Sequence, residues 1–346
     1  MIISRTPFRI SFFGGGTDYP VWYEKNEGMV LSATINKYCF ITARYLPPFF
    51  GYKHRIRYYQ HEEAQSLEEI KHPSVRECAR YLKIDKGLEI VHNADLPAQS
   101  GLGSSSTFTV GLLNALYALQ NYMPTKRELA LKAIHIEQDL IGESVGSQDQ
   151  TAAAFGGLNK ITFNGAKSID IETVIISNDR LTDLQDNLML FFTGFSRNAS
   201  EIAKKQIEVT PFKESELNTM LDICDEGINC LTNSESSLDE FGKLLNEQWK
   251  IVIEKLDIYL RSEKGKALTA GENEIEDAAS EEPAETDTAA VAEDIFLEED
   301  NLFTEPSLDL TTPKEILKEN FHQYNSTEET PAFRRNPPLV SGQMET

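Results

Sequence analysis

Apolar and polar positions alternate along residues 2–13, and the β-branched and aromatic content of that stretch predicts a strand. The runs 30–35 and 38–45 predict two more strands, and 55–60 a fourth. Residues 74–82 follow a helical period, and 88–93 read as a strand leading into a loop rich in glycine and serine. Past that loop the period is helical over 105–120, with apolar residues at Phe108, Val110, Leu112, Leu113 and Leu116. Thr125 follows Pro124 and has Glu128 three residues on, a capping box that opens a helix running to about residue 141. Strands are predicted at 158–163 and 188–192, then helices at 199–208, 215–231 and 238–260.

The pattern then changes. Residues 265–299 are mostly Ala, Glu, Asp and Thr, too poor in apolar surface to offset the entropy of ordering, so disorder is expected there. Residues 313–321 are weakly amphipathic, a short helix or a docking motif, and 322–346 are polar with several prolines. No internal repeat is visible. The expected organisation is an α+β protein of two domains, 1–180 and 181–260, with an acidic tail at 261–346.

The chain of 346 residues carries a net charge of −22, most of it in the last quarter, which argues against nucleic acid as a partner. The four cysteines show no metal-ligand spacing and read as reduced thiols. No run approaches the ~18 apolar residues of a membrane span. The N-terminus shows no secretory pattern, so a cytoplasmic protein without membrane contact is expected.

Four segments carry candidate chemistry. Pro97, Ser100, Gly101, Leu102, Gly103, Ser104, Ser105 and Ser106 precede the apolar helix. Glycines allow close approach of the backbone to a bulky anion, the helix start offers free N–H groups, and serine hydroxyls can hold a phosphate oxygen or Mg²⁺. This is neither the Walker pattern nor the dinucleotide fingerprint, and a serine-capped helix after a glycine turn is the plain alternative. In the second segment, Arg9 lies on a strand that ends in Gly14, Gly15, Gly16, Thr17 and Asp18, a turn able to bring amides and a carboxylate to a polyol, or simply a turn. In the third, Glu137 lies between Ile134 and Ile141 on an apolar face, costly unless paired or metal-bound, although a solvated edge is the bland reading. In the fourth, Asp149 lies a short way past that helix, at a distance that could place it and Glu137 at one cleft, or as a helix cap. Two carboxylates, an anion cradle and an arginine are the parts phosphoryl transfer needs.

Together these segments resemble the GHMP small-molecule kinase superfamily, which includes galactokinase, homoserine kinase, mevalonate kinase and phosphomevalonate kinase. Residues 5–18 resemble its first motif and 97–106 its second. The turn 14–18, the segment 137–149 and residues 193–200 look most like the D-glycero-D-manno-heptose 7-phosphate kinases and related fucokinases. The similarity covers roughly residues 1–258. It implies the GHMP fold, with the active site in a cleft between two domains, and ATP and Mg²⁺ as cofactors. Asp149 matches the family's catalytic base, with Arg9 beside it; a neighbouring cation favours an ionised carboxylate. Glu137 and Ser105 match the Mg²⁺ ligands, and 101–106 would wrap the ATP phosphates. Gly15, Gly16, Thr17 and Asp18 would hold sugar hydroxyls. Our own reading adds Arg197 for the distal phosphate of a sugar phosphate, or equally as a surface residue at a helix start, with Arg44, Lys53 and Arg55 as further candidates. The implied reaction is transfer of the ATP γ-phosphate to the anomeric hydroxyl of the heptose 7-phosphate. An L-fucokinase or other sugar-1-kinase is an alternative.

The chain also departs from the family. No third glycine-rich motif follows the C-terminal helices, and the later strands give way to the acidic tail, so the C-terminal domain is incomplete. That loss bears on turnover more than on nucleotide binding. A homologue that binds nucleotide without turning over is therefore a third reading.

Overall fold

One long strand organises the molecule, a computed structural model that describes residues 1–98, 100–165, 168–191 and 199–252, with side chains at 199–202 left aside. These residues fall within one compact unit, Met1–Glu305. The first strand, β1 (Ile2–Phe13), is followed by a single helical turn, α1 (Pro20–Tyr23), and then by β2 (Glu27–Tyr45). The two strands expected at 30–35 and 38–45 are therefore one strand. Asn36 and Lys37, which lie between the two predicted runs, fall at a register shift: Pro7 pairs with Tyr38, but Arg9 pairs with Thr34. An extra length of β2 bulges opposite Phe8, and such bulges bend a strand without ending it.

The expected strand at 55–60 is a hairpin, β3 (His54–Arg57) and β4 (His61–Ala64), turned at Tyr58, whose N–H donates to the Gln60 carbonyl. The helix α2 (Pro73–Tyr81), the strand β5 (Leu88–Ala94) and the helix α3 (Ser104–Leu119) come next. In α4 (Lys126–His135) the Thr125 hydroxyl accepts from Glu128 N–H, as the capping box requires. It does not run on as an α-helix but widens into a π-helical turn, Ile136–Ile141, which ends at the left-handed Gly142. The short α5 (Gln148–Phe155) leads to β6 (Leu158–Asn164) and to β7 (Ser168–Thr173), which sequence reading missed. Also missed was α6 (Asn178–Asp186), although Ser177 caps it by accepting from Arg180 N–H. The predicted strand 188–192 does not form over 188–191, where no ladder partner exists among the described residues. Helices α7 (Ala199–Val209), α8 (Glu214–Thr232) and α9 (Leu238–Lys250) follow where helices were expected, although the last was expected to reach residue 260, of which 253–260 lie outside the described residues. The acidic tail and Arg197 lie outside the described residues.

The seven strands among the described residues form one sheet, ordered β4-β3-β5-β2-β6-β7, with β1 on β2. The length of β2 lets it serve two neighbours: residues 39–45 pair with β5, and residues 27–33 pair with β6. Two apolar cores result. One gathers Phe8, Ile41, Ile90, Leu112 and Leu116 under α2, α3 and α4; the other gathers Phe13, Leu31, Phe163, Met220 and Phe241 under α8 and α9. Strand β1 crosses from one core to the other between Phe8 and Phe12, and Arg9 lies at the crossing. Gly227 on α8 allows the Phe13 ring to pack where an added Cβ would overlap it. Gln248 on α9 fastens the same end of β1, accepting from Gly14 N–H and donating to the Phe12 carbonyl. No helix among the described residues is long and apolar enough to cross a membrane.

Candidate active site

The glycine- and serine-rich loop is arranged as its residue types require. Gly101 and Gly103 take left-handed φ angles of 78° and 75°, open to glycine at little cost, and Gly103 starts α3. No side chain caps that helix start, and its first turn faces the cavity described below, the end of a helix that favours an anion. The loop runs directly over an ion pair. Arg9 Nε donates to Asp149 Oδ1 at 2.8 Å, with Nη2 at 2.6 Å from the same oxygen. Arg9 also donates from Nη1 to the Gly101 carbonyl (3.0 Å) and from its main chain to the Leu102 carbonyl (3.3 Å). One arginine therefore ties together β1, the loop and the start of α5. Gly103 makes room for the pair, since a Cβ there would come 3.1 Å from Asp149 Oδ2.

Glu137 stands in the π-helical turn and is 0% exposed. Its Oε2 accepts from Ser106 Oγ at 2.7 Å and from Gln150 Nε2, while Oε1 is buried without a partner. Burial pushes its carboxyl up to about 7, against hydrogen bonds from Thr109, Ser106 and Gln150 that act the other way. Ser105, expected beside Glu137, is exposed, and its carbonyl accepts from the Thr109 hydroxyl. The serine at Glu137 is Ser106, whose side chain points inward from the first turn of α3. Adjacent residues of α5 serve both acidic groups: Asp149 meets Arg9, and Gln150 meets Glu137.

A cavity of about 400 Å³ opens beside the loop. Arg9, Asp149 and loop residues Gly101 and 103–106 form one side, and Tyr58, His72, His92 and Phe108 form an aromatic wall. His72 stacks on Phe108 with centroids 4.5 Å apart, and His92 meets the same ring edge-on at 5.1 Å. Burial pulls both imidazoles down, His72 to about 4, so the wall is uncharged at neutral pH. None of these aromatic residues was anticipated. Their spacing in the chain carries no motif, because the sheet order brings β3, α2, β5 and α3 together.

Other expected site residues lie elsewhere. Thr17 is fully buried: its hydroxyl accepts from Met29 N–H and lies within donating distance of the Gly14 and Met29 carbonyls. It is a turn residue, which corrects the expectation of a sugar contact. Asp18 is 2% exposed, and backbone amides engage both its oxygens. Of the turn 15–18 only Gly15 stays partly open. Pro97 is exposed, and Ser100 Oγ is buried without a partner. Arg44 and Arg55 both pair with Glu89 and do not line the cavity, and neither does Lys53.

Comparison with known proteins adds the following. Residues 72–157 match the GHMP kinases N terminal domain, a span that includes the loop, Glu137 and Asp149. D-glycero-alpha-D-manno-heptose 7-phosphate kinase of Campylobacter jejuni is 31% identical over 210 residues, 58% of this chain and 62% of that protein. A galactokinase of Pyrococcus furiosus is 26% identical over 216 residues, 59% of this chain and 57% of the relative. The chain thus spans less than two thirds of the length of these relatives. Among solved structures, a D-glycero-D-manno-heptose 1-phosphate kinase from Bacteriodes thetaiotaomicron superposes with a TM-score of 0.55 at 24% identity, covering 73% of this chain and 80% of that one. Streptococcus pneumoniae phosphomevalonate kinase, solved with phosphomevalonate and AMPPNP, gives 0.58 at 13% identity, covering 74% and 80%. At these identities the structures establish a shared fold.

Proposed function

We propose that the chain is a member of the GHMP kinase superfamily, whose N-terminal domain it matches over residues 72–157, and an ATP-dependent sugar kinase acting on D-glycero-D-manno-heptose 7-phosphate at the anomeric hydroxyl. The observation that carries the proposal is the Arg9–Asp149 pair beneath the glycine-rich loop, within the same cavity as the uncapped start of α3. In this reading the loop amides and the N-terminus of α3 hold the phosphates, and the base lies against the aromatic wall. Asp149 accepts the proton of the attacking sugar hydroxyl, the hydroxyl oxygen bonds to the γ-phosphorus, and ADP leaves with the bridging oxygen. Arg9 keeps that carboxylate in place while its charge lies close to the transferring group.

Mg²⁺ fits the residues present. The unpartnered Glu137 Oε1 and the Ser106 hydroxyl are hard oxygen donors at the helix start, and one carboxylate plus phosphate oxygens and waters is a usual magnesium set. When bound, the ion would neutralise phosphate charge. The choice of heptose rests on the Campylobacter relative's name. L-fucose and galactose are the alternative acceptors.

A second reading, nucleotide binding without turnover, is favoured by one feature: residues 253–346 contain no glycine-rich motif of the family type. The test measures ADP release from Mg·ATP with the heptose 7-phosphate, L-fucose and galactose in parallel, using Asp149→Asn as control. Release with the heptose that vanishes in the variant supports the proposal. Release with another sugar only moves the substrate. No release while ATP still binds favours the second reading.

A further inference from the structure

The charges around the cavity do not balance. Among the described residues, the charged side chains that line it are Arg9, Asp149 and Glu143. Arg9 and Asp149 offset one another within their ion pair. His72 and His92, pulled down by burial, add no positive charge at neutral pH. Glu143 is left over. It is half-buried, and among the described residues no cation pairs with its carboxylate and no donor bonds to it.

The backbone puts that side chain there. Gly142 ends the π-helical turn at a left-handed φ of 77°. Glu143 N–H then donates back to the Glu137 carbonyl at 2.9 Å, and the Glu143 carbonyl accepts from Val145 N–H at 3.0 Å. Gln138 holds the residues that follow, donating from Nε2 to the carbonyls of Val145 (3.0 Å) and Gly146 (3.3 Å). The two acids of this turn lie close enough to repel one another. Glu137 is fully buried behind Ser106 with Oε1 unpartnered, while Glu143 lines the cavity together with residues 103–106 at the start of α3. A helix start favours an anion, and a carboxylate beside it repels one. The two features agree only where a cation accompanies the anion. Free nucleoside triphosphate brings like charge to Glu143, whereas its Mg²⁺ complex brings a hard cation that carboxylate oxygens favour.

We propose that Glu143 makes the site selective for metal-bound over free nucleotide, repelling uncompensated phosphates and attracting the ion that accompanies them. The proposal rests on the nucleotide-binding part of the kinase reading and not on turnover.

The experiment measures ATP affinity by titration calorimetry at pH 8, where both carboxyls are ionised, for wild type, Glu143→Gln and Glu143→Ala. Each protein is titrated with excess Mg²⁺ and again in EDTA, and the quantity read is the ratio of the two Kd values. Wild type should bind ATP about a hundredfold more weakly in EDTA. Both variants should cut that ratio about tenfold, chiefly by binding free ATP more tightly than wild type does. Adenosine carries no phosphate, so wild type and variants should bind it alike, which excludes a rearranged cavity. An unchanged ratio overturns the proposal. That includes the case in which both Kd values weaken together, the mark of an uncharged contact such as one to a ribose hydroxyl. A shift in adenosine affinity as large as that for ATP overturns it too. If wild type binds ATP in neither condition, this proposal and the kinase reading fall together. If it binds ATP but turns over no sugar, the kinase reading falls and the ratio still decides the role of Glu143.

Discussion

Glu137→Gln should make the metal-free protein more stable at neutral pH while removing activity. The wild-type carboxyl is fully buried, and burial raises it from 4.5 to about 7. An unfolded chain releases that proton near 4.5, whereas the folded chain keeps it to about 7. Between those values the folded state binds more protons than the unfolded one, so this group's contribution to stability falls as pH rises. The shift of about 2.5 units corresponds to roughly 3 kcal/mol, lost across that window and constant above it. The glutamine is neutral throughout. Its oxygen can accept from Ser106 and Gln150, and its NH₂ takes the place of the unpartnered Oε1. The histidines complicate a single curve: His54, His72 and His92 are pulled down by burial and gain stability with rising pH over part of the same range. The difference between variant and wild type cancels them. Urea unfolding in EDTA from pH 4.5 to 8 should therefore show the two proteins alike at the acid end. The variant should then gain, to about 3 kcal/mol above pH 7. A difference that stays flat across the range would refute the reasoning, since Glu137 would then titrate alike in both states. Adding Mg·ATP should stabilise wild type more than the variant.

Further perturbations test other parts of the structure. Gly227→Ala drives a methyl into the Phe13 ring and should cost about 1–3 kcal/mol in urea unfolding. Thr125→Ala removes the cap of α4 and should cost about 1 kcal/mol, with nucleotide affinity unchanged by calorimetry. Phe108→Ala removes the ring that both histidines meet, and should weaken ATP binding by about tenfold or more if the aromatic wall holds the base. His72→Gln should flatten part of the loss of stability on acidification between 6.5 and about 4, the range over which the buried imidazole must charge, as read by melting temperature against pH.

What was legible in the sequence was what local chemistry determines. The strand 2–13, the capping box at Thr125 and the glycine loop before α3 depend on neighbouring residues, and the structure has them where the pattern put them. The misses come from long-range pairing. Asn36 and Lys37 lie between two predicted runs, which become one strand when β1 lies alongside and takes up the bulge at Pro7 and Arg9. Strand β7, with Asp170 and Glu172 on its exposed face, gains its pairing from β6 rather than from its own apolar content. At the site, Arg9 and Asp149 could be named as a pair because their roles follow from a motif, although 140 positions separate them. The aromatic wall could not be named, because only the sheet order brings Tyr58, His72, His92 and Phe108 together.

The case of Asp18 shows why residue type and motif leave a role open. An aspartate two positions past three glycines is as suited to a polyol as to an amide, and the sequence holds nothing to separate the two. What the structure adds is Gly146. A loop that must pass so close that no Cβ fits is packed against the carboxylate on that side. Gly146→Ala should consequently displace both Asp18 and the loop: faster hydrogen–deuterium exchange at 145–150 and a fall in kcat, with ATP affinity held by the loop at 101–106. If the alanine variant instead keeps wild-type kcat and exchange, the contact is slack, and the loop does not set the position of the carboxylate.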